Sequence, residues 1–150
     1  MTQQPSILLI QDNEDIVFLL QHAIKKSGIS NPVQILVNGE DAIAYLAGTE
    51  RFSDWNKFPL PSLVLLDVKL PGASGFDVLK WIRQHPGLKN LRVAILTSSD
   101  SGKEIATAYG LGANVFLTIP VDLDKLVEMM KALLAHWLLH AQAPELFRSL

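Results

Sequence analysis

Asp12, Asp67 and Thr97 each stand at or just past the end of a short aliphatic run: Ser6-Ile-Leu-Leu-Ile10, Leu63-Val-Leu-Leu-Asp67 and Arg92-Val-Ala-Ile-Leu-Thr97. A fourth run, Val115-Phe-Leu-Thr-Ile119, ends on Ile119 before Pro120. If these runs are parallel strands of one sheet, the four residues meet at its carboxyl edge, where open α/β sheets carry their sites. Two carboxylates and a hydroxyl there suit a divalent cation and a phosphoryl group. Asp67, ending a central strand, is the candidate nucleophile toward phosphorus, giving an acyl phosphate. Such a transfer needs a cation, because two anions must approach each other. Asp12 is the candidate second carboxylate for Mg²⁺, which takes octahedral oxygen ligands and keeps several waters. The backbone carbonyl of Lys69 is a further candidate ligand, and the Thr97 hydroxyl can donate to a phosphoryl oxygen. Pro71, Gly72 and Gly75 form a turn expected to open room for the group. Taken singly, Asp12 reads as an Asx-turn or capping residue and Thr97 as a strand end. Their joint placement singles them out.

The positioning elements are set by hydrophobic patterning. Strands are expected over 6–10, 32–37, 63–67, 92–97 and 115–117. Most are near-continuous aliphatics without polar alternation, as strands covered on both faces are. Helices are expected near 14–26, 39–46, 74–85 and 102–111, with a fifth starting near Asp122 as N-cap. The first buries Ile16, Leu19, Leu20, Ala23 and Ile24; the fifth buries Leu123, Leu126, Val127, Met130, Leu133, Leu134 and Trp137. Five βα units in succession imply an α/β fold, a doubly wound, flavodoxin-like (βα)5 parallel sheet with right-handed crossovers. The expected strand order is 2-1-3-4-5, which sets Asp12 beside Asp67. Residues 1–150 are read as one domain, with a core of about 5–140 and a tail at 141–150. The aromatic connection 48–61 is longer than a minimal fold needs, and such loops are often functional.

Bulk composition excludes several classes. The 150 residues are 49% hydrophobic and 19% charged, which is globular and supports a real core. Lys+Arg 13 against Asp+Glu 15 gives a net charge of −2, with no basic stripe for nucleic acid. No cysteine is present, so disulfide and thiolate chemistry are excluded. Met1-Thr-Gln-Gln-Pro5 lacks the features of a signal peptide, and no apolar run reaches transmembrane length. A soluble cytoplasmic protein is the expectation. His136 and His140 lie four apart on one helix face, but without cysteine or acidic neighbours they read as surface histidines. Trp81 reads as core or rim.

Four motifs carry a family resemblance: Ile7-Leu-Leu-Ile-Gln-Asp-Asn-Glu14, Leu65-Leu-Asp-Val-Lys-Leu-Pro-Gly-Ala-Ser-Gly75, Val93-Ala-Ile-Leu-Thr-Ser98 and Gly112-Ala-Asn-Val-Phe-Leu-Thr-Ile-Pro-Val121. Together, over essentially residues 5–140, the chain resembles the response-regulator receiver domains of two-component signalling. The resemblance implies that Asp67 accepts phosphate from a sensor histidine kinase and that Asp12 and Asp67 hold Mg²⁺. Thr97 would move toward the phosphoryl group, and Phe116, at the switch-aromatic position, would rotate inward. The long second connection and the tail around Trp137 look like single-domain regulators paired with phytochromes. Output is then protein–protein contact through the face of helix 4, strand 5 and helix 5. Leu133, Trp137 and Leu138 are candidate homodimer contacts there, with the C-terminal tail.

Two positions depart from the family pattern. The acidic pair after strand 1 is Gln11-Asp12 here, so Gln11 is at most a weakened, uncharged metal ligand. The family lysine before Pro120 is Ile119. Unit charges 4 Å apart attract by about 1 kcal/mol in water, and more at lower dielectric. Loss of that partner weakens the coupling of phosphate to switch, and Lys69 is a nearby cation that could stand in. Two readings result: a stand-alone receiver phosphorylated on Asp67 with Mg²⁺, or a pseudo-receiver binding module. Enzymatic readings fare worse. A haloacid-dehalogenase-type phosphatase needs a second aspartate where Lys69 stands. Gln11-Asp-Asn-Glu-Asp15 would repel a flavin phosphate.

Overall fold

The computed structural model describes residues 5–98 and 101–139. Strands β1 (Ile7–Ile10), β2 (Val33–Leu36), β3 (Leu63–Leu66), β4 (Arg92–Thr97) and β5 (Val115–Thr118) alternate with helices. These are α1 (Glu14–Lys26), α2 (Gly39–Ala47), α3 (Gly75–Gln84), α4 (Gly102–Gly110) and α5 (Leu123–Leu139). All strand pairs are parallel, and the sheet order is β2-β1-β3-β4-β5, as the run pattern predicts. Among the described residues, no helix is long and apolar enough to cross a membrane.

The aliphatic runs lack polar alternation because both faces of the sheet are covered. Leu8, Ile10, Val64, Leu66, Val93 and Ile95 pack with Val78, Leu79, Ile82 and Ala108 of the α2/α3/α4 layer. Ile7, Leu9, Leu63, Leu65, Ala94 and Leu96 pack on the other face with Leu20, Ala23, Ile24, Leu126, Met130 and Leu134 of α1 and α5. Each buried Val, Leu, Ile or Met among them stabilises the fold by roughly 1.5–3 kcal/mol.

Helix starts are fixed by side-chain caps. Asn13 Oδ1 accepts the N–H groups of Asp15 and Ile16 at 2.9 and 3.1 Å, which starts α1 directly after β1. Ser74 and Asp77 form a reciprocal capping box at α3. Asp122 Oδ1 accepts from the N–H groups of Asp124 and Lys125, so its expected capping role holds.

Two expectations need correction. Leu133 and Trp137 are not free for a partner: they are 8% and 9% exposed and pack inside the α1/α5 layer. The apolar excess of the last helix covers the chain's own sheet, and Arg92 sits 5.9 Å over the Trp137 ring. The side chain of Leu138, His140 and the tail 141–150 lie outside the described residues. The connection 48–61 is mainly packing. Phe52 and Phe58 stand edge to face at 5.1 Å, Tyr45 lies 5.2 Å from Phe52, and the Tyr45 hydroxyl donates to the Pro59 carbonyl at 2.8 Å. Its length serves an aromatic annex beside α2, tied down by an Arg51–Asp41 ion pair at 2.8 Å.

Candidate functional site

Register brings the site together. Ile10 pairs with Leu66, and the Asp67 N–H donates to the Ile10 carbonyl at 3.1 Å. The next row therefore sets Gln11 beside Asp67 on the same face. Gln11, 2% exposed, donates from Nε2 to Asp67 Oδ2 at 3.0 Å. Its Oε1 accepts the Asn13 N–H at 3.0 Å. A backbone N–H can only donate, so this contact fixes which end of the amide faces Asp67. Gln11 thus presents a donor to the site, and its oxygen is used by Asn13. Gln11, expected as a weakened ligand, here turns its amide N–H rather than its oxygen toward Asp67.

Asp67 is half-buried. Its Oδ1 accepts the Val68 N–H at 2.8 Å. The Thr97 side chain and the Lys69 backbone N–H also donate to its carboxylate. Burial raises its pKa above the ordinary carboxylate value, and these four donors pull the other way. Thr97 is 2% exposed, so its hydroxyl is held at the site from below.

Above Asp67 opens a cleft of about 550 Å³, lined by residues 11–16 with Asp67, Lys69 and Ser98. Among the lining residues the carboxylates of Asp12, Glu14, Asp15 and Asp67 face one cation, Lys69. No three His, Cys, Asp or Glu side chains among the described residues form a ready cage for a metal. The Asp12 and Asp67 carboxylates and Lys69, the expected ligand set, all line this cleft. That set fits a largely hydrated Mg²⁺, which binds through one or two carboxylates and keeps its waters.

The loop after β3 behaves differently from expectation. Gly72 and Gly75 do not open room; they let the loop close. The Gly75 N–H donates to the Val68 carbonyl at 2.8 Å, and a Cβ at Gly75 would run into the Asp67 carbonyl. Gly72 has φ +72°, and a side chain there would meet the Glu40 carboxylate. Glu40 Oε1 instead accepts the Ala73 N–H at 2.8 Å, holding this loop from α2. Neither the Glu40 contact nor the Gln11 bridge is legible in the chain as a one-dimensional string. The β1–β3 register was the available signal for the second.

The remaining predicted residues are separated from the cleft. Ile119, 9% exposed, joins the α1/α5-side apolar cluster, and its N–H donates to the Thr97 carbonyl at 2.8 Å. It brings no charge toward Asp67. Phe116 is already turned into the α2/α3/α4 layer at 9% exposure, and its N–H donates to the Tyr109 hydroxyl at 3.1 Å. Trp81 is a half-buried rim residue whose ring lies 5.1 Å from that of His85.

A doubly wound sheet with an aspartate, a threonine and an acidic helix start at its carboxyl edge defines a class. Residues 7–131 match the response regulator receiver domain model, and the chain belongs to that family. It is 34% identical over 132 residues to response regulator Rcp1 of Synechocystis sp., covering 88% of each chain. Among solved structures it superposes on the Mn(2+)-bound form of Rcp1 with a TM-score of 0.80 at 33% identity, over 93% of this chain and 99% of that one. It matches the phosphorylated cyanobacterial phytochrome response regulator RcpA with a TM-score of 0.84 at 30% identity, over 94% and 99%.

Proposed function

We propose that this receiver accepts a phosphoryl group on Asp67 from the phosphohistidine of a sensor kinase, of phytochrome type, in the cytoplasm. An Asp67 carboxylate oxygen attacks phosphorus, the P–N bond breaks, and the leaving imidazole takes up a proton. Mg²⁺, when bound, neutralises the approaching anions. Asp12, Asp67 and the Lys69 carbonyl hold it. The Thr97 hydroxyl moves its hydrogen bond from Asp67 to the transferred group. The α4–β5–α5 face, where a second copy or another partner docks, receives the change through β5, on which Phe116 is already packed inward. The observation that carries this reading is Asp67 itself: a half-buried carboxylate on four neutral donors, opening into an acidic cleft. Two relatives support it: one was solved with Mn(2+), the other phosphorylated.

The test is intact mass after incubation with Mg²⁺ and a small phosphodonor, with Asp67→Asn as control. A single phosphoryl adduct, absent from the control, is expected. The burial of Ile119 and the neutral Gln11 favour a second reading, an unphosphorylated binding module. Absence of adduct under conditions that label an ordinary receiver would contradict the first reading and favour the second.

A further inference from the structure

One of the two most buried polar side chains beside Asp67, Gln11, is one for which the proposed transfer has no use. Gln11 is 2% exposed, and both ends of its amide are engaged: Oε1 by the Asn13 N–H at 3.0 Å, Nε2 by Asp67 Oδ2 at 3.0 Å. Asn13 is itself fixed, because its side chain caps α1 through the N–H groups of Asp15 and Ile16. Gln11 therefore ties the start of α1 to the carboxylate at the end of β3. The amide cannot turn over, since that would set two donors face to face at Asn13 and two acceptors face to face at Asp67.

An uncharged donor at this place has two physical consequences. It supplies part of the solvation that Asp67 loses on burial, so the carboxylate keeps its orientation with no cation near it. It also withholds a ligand, because the atom facing the site is an N–H. A carboxylate on the same stem would stand about 3 Å from Asp67, and two such anions repel strongly unless a cation lies between them.

We propose that Gln11 is a neutral clamp that positions Asp67 without a metal ion and sets this site's affinity for divalent cations low. The inference rests on the reading of Asp67 as phosphoacceptor only for its consequence in signalling. Its readouts are stability and cation binding, so a chain that takes no phosphate would still decide it.

The experiment compares wild type, Gln11→Glu, Asp67→Asn and the double variant Gln11→Glu/Asp67→Asn, each as the full chain. Melting temperature is recorded in EDTA and in MgCl₂, and Mg²⁺ affinity is measured by calorimetry. Wild type should melt almost alike in both media and bind Mg²⁺ weakly. Gln11→Glu should melt lower in EDTA, recover with Mg²⁺ and bind it at least about tenfold tighter. In the double variant the loss in EDTA should vanish, because the repelling partner is gone. A Gln11→Glu protein with wild-type Mg²⁺ affinity would overturn the proposal. So would a loss of stability that persists in the double variant, since that reports damaged local packing rather than repulsion from Asp67.

Discussion

The two edges of the sheet each hold a partly buried charge on neutral partners, yet only one edge is left open. At the amino edge, Arg83 of α3 donates to the carbonyls of Gly112, Lys89 and Leu91 at 2.9, 3.1 and 2.6 Å. It also donates to Asn114 Oδ1 at 2.9 Å, and that same oxygen receives the Val93 N–H. At the carboxyl edge, Asp67 accepts from Gln11, Val68, Lys69 and Thr97. Burial acts on both, lowering the Arg83 pKa and raising that of Asp67. The guanidinium spends its donors on loop carbonyls and so joins α3 to the starts of β4 and β5. The carboxylate keeps an approach through the acidic cleft. The same electrostatic device is therefore a staple at one end and an accessible carboxylate at the other. What separates them is access.

That separation can be broken from either side. The largest effect is expected from Thr97→Ala, which removes the hydroxyl that donates to Asp67 and that is proposed to move to the phosphoryl group. By analogy with the loss of one oxyanion donor, the rate of adduct formation should fall on the order of 100-fold in time-resolved intact-mass measurements. A rate unchanged by this variant would take Thr97 out of the chemistry.

Arg83→Ala should leave the adduct rate intact and act on stability instead. Its loss strands several acceptors at the amino edge, so urea denaturation should show a decrease of roughly 2–3 kcal/mol. A folded Arg83→Ala protein that no longer takes phosphate would mean the two edges are coupled.

Gly75→Ala sharpens the comparison, because the added Cβ must push against the Asp67 carbonyl. The expected cost is about 1–3 kcal/mol in urea denaturation, with slower labelling as the loop holding the Lys69 carbonyl shifts.

The smallest effect is a pH dependence. Burial holds the folded Asp67 carboxyl above its ordinary value, so the folded state keeps its proton longer than the unfolded chain does. The stability this contributes is fully present below the unfolded value and is lost as pH rises through the folded one. Asp67→Asn never titrates and escapes that loss. Melting curves should show the variant above wild type at neutral pH, with the gain vanishing near pH 3, below the unfolded carboxylate value of about 3.9. A gain of equal size at both pH values would assign it to packing.

Much of the fold and the site is legible in the chain. Burial on both faces writes strands as unbroken aliphatic runs, and the residues that end them, Asp67 and Thr97, mark the carboxyl edge. Topology then brings the end of β1 to Asp67, with Gln11 beside it and Asp12 lining the same cleft. The rest depends on distance and direction rather than residue type. Gln11 looks like a diminished ligand until the register shows its N–H facing Asp67. Gly72 and Gly75 look like slack until Glu40 and the Asp67 carbonyl are seen to fill the space where side chains would go. Trp137 looks like surplus apolar surface, because helical periodicity gives a stripe's width and not what covers it. Arg83 carries no local signal at all, since its partners lie in two other loops.

The proposed chemistry at the open edge turns on one carboxylate. The most direct test is to incubate the chain with Mg²⁺ and a small phosphodonor, reduce with borohydride, and map the peptides by mass spectrometry. Borohydride converts an aspartyl phosphate to homoserine and so records where the acyl phosphate was. Reduction is expected at Asp67 alone, with Asp12, Glu14 and Asp15 untouched. Reduction at another carboxylate, or none under conditions that trap the acyl phosphate of an ordinary receiver, would contradict the assignment of Asp67 as phosphoacceptor.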